Sequence, residues 1–471
     1  MPYLYFQGGT LVLNDVPQDT TLQLADPFRW IKAKWRCEAY HYSQIRPWLK
    51  QHRIKDRVPQ WQSLKLKLHD GRQAHSYQKE ALQAWDKQNR QGSIILPTGA
   101  GKTFVALRAI YRAKCSAVIV APTIDLLHQW YARLVNTFSC DIGVYYGGEK
   151  NIQSITVTTY HSAGDLMADY GNQFKLLIYD EVHHLPAPSW GETALMCPAP
   201  FRLGLTATYP EAERETEMHL SEPAPTYELH GHRTRWRISE LIGSIAYEQK
   251  IQDLIGAQLA EYRTVRVRVE LGPEEQASYD HLYAIYSGYF RGQGLTRRYG
   301  AHWLQALMRL SNEDEEARRA LLARQELQQL LAGASAKLDA LEKLLQEHNG
   351  DRILIFTENN QAVYKIAQRF LIPPLTHETK TAERKALLDR FRAGDYPVIV
   401  TSKVLNEGID VPAAKVAIVL GGTAGAREYI QRLGRVLRKV GDQTAVLYEV
   451  IVRNTVDEGR AQRRRPKKNR L

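Results

Sequence analysis

The stretch "SIILPTGAGKTFVALRAI", residues 93–110, constrains this 471-residue chain more than any other. A short apolar strand runs into Pro-Thr-Gly-Ala-Gly, and a helix begins near Lys102. Glycines at 99 and 101 let the backbone turn tightly with its N–H groups pointing inward. Those groups and the helix N-terminus make an anion cradle. Thr98, Gly99, Ala100 and Gly101 would line it, Lys102 can reach the β and γ phosphates, and the Thr103 hydroxyl can ligate Mg²⁺. The strict eight-residue phosphate loop starts with Gly, and here that position is Leu96. The bland alternative is a Gly-rich turn with a chance Lys, but strand, turn and helix in this order favour a nucleotide.

A second stretch, "YDEVHHLPAPSW", sets Asp180 and Glu181 beside His183 and His184. Carboxylates next to imidazoles suit a metal hydrolase, and they also suit a nucleotide-driven motor. A phosphate-loop ATPase needs a second strand ending in an acidic pair, and "LLIYDE" is such a strand. One carboxylate holds Mg²⁺ through water and the other aims the attacking water. Asp180 is therefore expected at the metal and Glu181 at the water. The histidines lack the His-Glu-x-x-His spacing of zinc proteases.

Around these motifs the chain shows two α/β rhythms. Apolar runs "SIILPTG", "AVIVAPT", "ITVTTY" and "LLIYDE" alternate with helical stretches, and a second series begins at "RILIFTEN". Buried parallel strands joined by crossover helices produce this pattern. The expected division is a small α+β N-terminal module over 1–65, a sheet domain over 66–225, a connector with a helical insertion over 226–335, and a second sheet domain over 336–471. "YFQGGTLVL" predicts a Gly-Gly hairpin. In 274–290 the apolar positions Tyr279, Leu282, Tyr283, Tyr286, Tyr289 and Phe290 recur at helical spacing, which favours a packed face over a strand-gripping one.

Hydrophobic residues make up 44% and charged ones 24%, enough for large cores. No apolar run reaches the roughly 18 residues of a membrane span, and no signal peptide is evident, so a cytoplasmic, nucleoid-associated protein without a membrane partner is expected. Cys37, Cys115, Cys140 and Cys197 form no Cys-x-x-Cys pair and are expected as free thiols. The net charge of +12 suits a polyanionic partner, nucleic acid above all, or merely solubility.

In order, "LPTGAGKT", "APTIDLLHQW", "TTYHSA", "DEVHH", "LTAT", "ILIFTEN", "VLNEGIDVP" and "QRLGRVLR" resemble the motifs of superfamily 2 helicases and translocases across about 370 residues. "DEVHHLPAPS", "FRLGLTATY" and "EYIQRLGRVLR" look particularly like the XPB branch. The resemblance implies two RecA-like parallel-sheet domains in tandem, with a helical thumb-like insertion and an N-terminal module akin to a DNA-damage-recognition domain. It also implies an ATP- and Mg²⁺-dependent DNA translocase or 3′–5′ helicase in repair of the nucleotide-excision kind. Gln78 matches the glutamine that reads adenine. His184 is matched to the histidine of the acidic box, coupling nucleotide to nucleic acid, with His183 left without a task. Thr206 and Thr208 match the motif linking hydrolysis to domain movement. Glu407, Gly408 and Asp410 match a segment facing nucleotide. Gln431, Arg435 and Arg438 match "QxxGRxxR", whose arginines would stabilise charge on the transferring phosphoryl group.

Thr123, Thr159 and Thr401 are candidate DNA contacts, or strand-end caps. An RNA-dependent ATPase is the alternative, as is a motor scaffold for a Bax1-like nuclease. One departure stands out. Where XPB-like proteins carry Arg-Glu-Asp after "LTAT", this chain has Glu211, Ala212 and Glu213. That bears on duplex opening and leaves ATP-driven translocation untouched.

Overall fold

The computed structural model describes residues 2–18, 24–210, 228–229, 232–233, 236–249, 262–300, 303–402, 414–421 and 445–463. Two compact units divide the chain, Met1–Leu254 and Ile255–Leu471. Among the described residues no helix is long and apolar enough to cross a membrane.

The first unit opens with a five-stranded sheet. Its strands are β1 (Tyr3–Gln7), β2 (Thr10–Asn14), β3 (Arg29–Ile31), β4 (Lys34–Glu38) and β5 (Lys55–Asp56), in the order β3-β4-β2-β1-β5, with α1 (Tyr42–Gln51) packed on it. The expected hairpin is present. Gly8 and Gly9 take φ of 56° and 70°, the left-handed pair that a two-residue hairpin turn requires. A Cβ on Gly9 would also lie 2.7 Å from Met196 of the adjoining sheet domain. The module is tied to that domain by polar contacts. Gly9 N–H donates to Ala168 O at 3.1 Å, Asn172 Nδ2 donates to Val58 O at 2.8 Å, and the Tyr40 hydroxyl donates to Glu240 O at 2.6 Å.

The large sheet contains β6 (Gln91–Ile95), β7 (Ala117–Ala121), β8 (Ile142–Tyr146), β9 (Glu149–Asn151), β10 (Ile155–Thr159), β11 (Leu176–Asp180) and β12 (Phe201–Thr206). After a short ladder of β13 (Glu228–Leu229) with β14 (His232–Arg233), β15 (Ile245–Glu248) joins its edge. The order is β15-β6-β12-β11-β7-β10-β8-β9, parallel throughout except at β9. The sheet thus draws on residues beyond 225. "AVIVA", "ITVTT" and "LLIYD" are buried along their whole length because helices cover both faces. Those helices include α2 (Ser76–Lys87), α3 (Lys102–Ala113), α4 (Ile124–Thr137), α5 (Tyr160–Tyr170), α6 (Pro188–Leu195) and the single turn α7 (Ile238–Leu241).

The second unit carries an all-parallel sheet. It is built from β16 (Tyr262–Val269), β17 (Ile353–Phe356), β18 (Pro374–Leu375), β19 (Val398–Thr401), β20 (Val416–Val419) and β21 (Ala445–Val452), in the order β16-β21-β20-β17-β19-β18. Its edge strand β16 comes from the segment expected as a connector. The Tyr-rich helix α8 (Pro273–Gly292) packs against α11 (Glu315–Ala332), after the short α9 (Leu295–Tyr299) and α10 (Trp303–Leu310). Tyr279 sits with Leu327 and Leu331, and Tyr289 and Phe290 sit with Leu295, Leu307 and Ala317. The stripe is a core face. Helices α12 (Ser335–Glu347), α13 (Asn360–Phe370), α14 (Thr381–Ala393) and α15 (Val456–Arg463) complete the unit.

Candidate active site

The strand order explains how motifs far apart in sequence meet. Along the C-terminal edge of the first sheet run the ends of β6, β12, β11, β7 and β10. They carry, in that spatial order, the glycine-rich loop, Thr206, the Asp180–Glu181 pair, Thr123 and Thr159. Ligands of open parallel sheets bind outside the strand C-termini.

The loop leaves β6 zipped to β12, with Leu96 N–H on Thr206 O at 3.0 Å. Gly99 and Gly101 take φ of 86° and 83°. A side chain at 101 is barred twice, because its Cβ would lie 2.5 Å from Gln78 Nε2. Gln78 is buried behind the loop. Its Nε2 donates to Ala100 O at 3.0 Å and to the Tyr77 hydroxyl at 3.3 Å, while its Oε1 accepts from His75 N–H at 3.1 Å. Both of these Nε2 contacts are to protein groups at the back of the loop. Here Gln78 braces the phosphate loop, jointly with the Tyr77 hydroxyl on Ala100 O at 2.8 Å.

Lys102 opens α3, and its Nζ lies 3.7 Å from Glu181 Oε1 with both side chains largely buried. Asp180 ends β11. Its Oδ1 accepts from Glu181 N–H at 3.0 Å and its Oδ2 accepts from Trp130 Nε1 at 2.8 Å. Burial, then the Glu181 charge, push the Asp180 carboxyl above the usual carboxylate range, and Lys102 and the indole pull against them. Glu181 sits at φ 49°, a left-handed conformation that costs a non-glycine residue about 1–3 kcal/mol and tends to mark functional sites.

The histidines divide differently from expectation. Counting Asp-Glu-x-His along the chain reaches His183, and the geometry agrees. His183 Nδ1 lies 2.9 Å from Thr206 Oγ1 and 3.4 Å from Glu181 Oε2. Thr206 gives its single proton to Thr208 O at 2.8 Å, so His183 Nδ1 must be the donor. His183, not His184, bridges the water-side carboxylate to the "LTAT" strand end. His184 packs its ring among Tyr160, His183 and Trp190.

Thr123 and Thr159 are helix N-caps, accepting from Leu126 N–H and Ser162 N–H, each at 3.3 Å. Thr401 is fully buried and its hydroxyl donates to Ser402 O at 3.4 Å. Glu407, Gly408, Asp410, Gln431, Arg435 and Arg438, and the Glu211–Ala212–Glu213 departure, lie outside the described residues. Sequence reasoning missed Trp130, Tyr160 and Tyr77. Each lies inside or beside a motif, and an aromatic with a polar tip next to a charged site was the available signal.

A phosphate loop and an acidic strand end on one parallel-sheet edge define a P-loop ATPase core of the superfamily 2 class. The chain is 38% identical over 470 residues to "DNA 3′-5′ translocase XPB2" of Sulfurisphaera tokodaii, covering 99% of this chain and 100% of that relative. The chain belongs to the XPB family of superfamily 2 helicases and translocases. Residues 72–211 match the family described as type III restriction enzyme, res subunit, and residues 336–440 match the helicase conserved C-terminal domain. "DNA 3′-5′ helicase XPB" of Kineococcus radiotolerans is 32% identical over 84% of this chain, which spans 62% of that relative's length. Among solved structures, the Hef helicase domain of Pyrococcus furiosus has a TM-score of 0.50 at 18% identity, covering 83% of this chain and 97% of that one. That likeness shows the tandem parallel-sheet fold.

Proposed function

We propose that this protein is an ATP-dependent DNA translocase or 3′–5′ helicase of XPB type, acting in DNA repair of the nucleotide-excision kind. The observation that carries the proposal is the Lys102–Glu181–His183–Thr206 chain of contacts beside Asp180 at the mouth of the glycine-rich loop. Loop N–H groups and Lys102 bind the β and γ phosphates. Glu181, oriented by His183, aims and deprotonates the attacking water. Thr206 lies next in the chain and transmits the state of the site along β12. Gln78 reads the adenine and, with Tyr77, holds the loop from behind.

The residues also fit a hard cation. Asp180 and Glu181 are two buried carboxylates facing the single ammonium of Lys102, and a divalent ion relieves that surplus of negative charge. Asp180, through water, and Thr103 would hold Mg²⁺, which would neutralise charge on the phosphates. Among the described residues no group of three or more His, Cys, Asp or Glu is disposed to hold a metal ion. Mg²⁺ characteristically keeps water and substrate-phosphate oxygens as ligands rather than an all-protein cage.

Arg435 and Arg438 stabilise the transferring phosphoryl group, with Gln431, Gly408 and Asp410 facing the nucleotide. Strand phosphates meet the helix N-termini at Thr123 and Thr159, where backbone N–H groups favour anions. Residues 1–65 form the DNA- and damage-recognition module, 66–225 with β15 and 336–471 with β16 the two motor domains, and the remainder of 226–335 the connector and thumb. A Bax1-like nuclease is the proposed partner and the nucleoid the proposed location.

One ATPase panel tests the reading, with single-stranded, duplex, forked and damaged DNA and with RNA, beside a strand-displacement assay. DNA stimulation is expected. Stimulation by RNA alone would replace this reading with an RNA-dependent ATPase. Tight nuclease binding that survives Lys102→Ala, without DNA-stimulated turnover, would favour the scaffold.

A further inference from the structure

Two aromatic residues reach from the helices behind Thr123 and Thr159 to the acidic pair. Trp130 sits on α4, seven residues beyond its Thr123 cap. Two turns of helix therefore return it to nearly the same face, about 10 Å along the axis. Its ring is buried and its Nε1 donates to Asp180 Oδ2 at 2.8 Å. Tyr160 is the first residue of α5, directly after its Thr159 cap. Its hydroxyl, also buried, donates to Asp180 O at 3.1 Å and approaches Glu181 O at 3.4 Å. One helix thus grips the Asp180 side chain and the other grips the Asp180 carbonyl, which adjoins the Glu181 N–H.

The chemistry makes these grips specific. Asp180 Oδ1 is taken by Glu181 N–H, so the indole on Oδ2 fixes the remaining rotation of the carboxylate. Glu181 is held in a left-handed conformation, and the Tyr160 hydroxyl anchors the carbonyl of the residue just before it. Helices are stiff, and packed interiors transmit displacement rather than absorb it. A shift of α4 or α5 against the sheet therefore moves Asp180 and Glu181 directly, with no intervening loop.

We propose that Trp130 and Tyr160 are positioning residues through which a nucleic-acid strand on the N-termini of α4 and α5 sets the geometry of the Asp180–Glu181 pair. The inference rests on the motor reading above and names the route by which DNA would stimulate its ATPase.

The test uses the full chain with Trp130→Phe, Tyr160→Phe and the double variant. Phe174→Leu serves as a control, a fully buried ring in the core that also holds Tyr160, with no polar contact to β11. Four quantities are measured: ATPase rate without and with forked DNA, affinity for a fluorescent ATP analogue, affinity for forked DNA, and the change in DNA affinity when ADP is added. Thermal midpoints check folding, and Tyr160→Phe removes a single oxygen. Coupling between sites is commonly worth about 5–150-fold, and by linkage it is equal in both directions for binding. The expected result is that each variant lowers the ratio of stimulated to basal rate by roughly fivefold or more. The effect of ADP on DNA affinity shrinks in parallel, while each single affinity holds within about twofold. Variants with the wild-type ratio overturn the inference and leave the motor reading standing, as does an equal loss in Phe174→Leu. A wild-type ATPase indifferent to every DNA overturns both.

Discussion

At the residue scale the acidic strand end concentrates the chemistry. Glu181→Gln keeps the shape of the side chain and removes its basicity. It should retain ATP binding while turnover falls about 10²–10⁴-fold, as for loss of a general base; near-normal turnover would reassign the water. Lys102→Ala should abolish hydrolysis in the same assay. His183 and His184 separate by neighbours rather than by type. His183 donates from Nδ1 toward Thr206 and Glu181, whereas His184 fills a ring cluster. Each hydrogen bond lost contributes about 0.5–1.5 kcal/mol, so His183→Ala should lower kcat roughly tenfold at 1.4 kcal/mol per decade. His184→Ala should lower thermal stability and leave kcat nearly intact. The opposite pattern in steady-state kinetics would restore His184 as the coupling residue.

At the element scale, two buried charges show how helices are locked to sheets. Lys337 of α12 donates to Leu420 O at 2.7 Å and pairs with Asp457 of α15 at 2.7 Å, both almost wholly buried. Removing one partner of such a pair costs about 3–5 kcal/mol because the other charge stays behind. Asp457→Leu should therefore lower the melting point of the second unit by roughly 6–20 °C. The double variant Lys337→Met/Asp457→Leu should recover most of that loss in the same thermal scan. In the first unit, Arg202 on β12 is fully buried, with no carboxylate partner among the described residues. Its guanidinium donates to Ala194 O, Cys197 O, Ala199 O and Leu241 O, and lies 4.7 Å from the Tyr40 ring. The carbonyls at the end of α6 and of α7 replace water around the cation, and Tyr40 carries the lock into the N-terminal module. The module is therefore a fixed part of the first unit rather than a tethered arm. Limited proteolysis should cleave elsewhere before it releases residues 1–65.

At the scale of the whole molecule, the net charge of +12 becomes a property of binding. Contacts made to phosphates release counterions, so DNA affinity should fall steeply with salt, by about 10³–10⁵ between 50 and 200 mM if six to ten phosphates are engaged. It should depend little on base sequence. A flat salt profile in fluorescence anisotropy would point away from phosphate tracking. Arg435 and Arg438 are proposed to stabilise the transferring phosphoryl group. Alanine at either should depress kcat by about 10³–10⁵-fold and leave ATP affinity nearly unchanged.

The local pattern determined a good deal by itself. Apolar runs bounded by turns announced both parallel sheets, because a strand covered on both faces needs hydrophobic side chains throughout. The paired glycines before Lys102, and those at 8 and 9, announced turns that other residues resist. The acidic pair at the end of β11 was legible for the same local reason. What tertiary structure alone decided concerns neighbours far apart in the chain. Glutamine's two N–H groups look alike in any sequence, and only packing revealed that Nε2 of Gln78 meets Ala100 O and Tyr77. Spacing alone points to His183, but only the fold brings it to Thr206, 23 residues on. Trp130 and Asp180 stand 50 residues apart, and their bond exists because β7 lies beside β11 in the sheet. Strand order is set by the free energy of the whole core, which no short window of sequence contains.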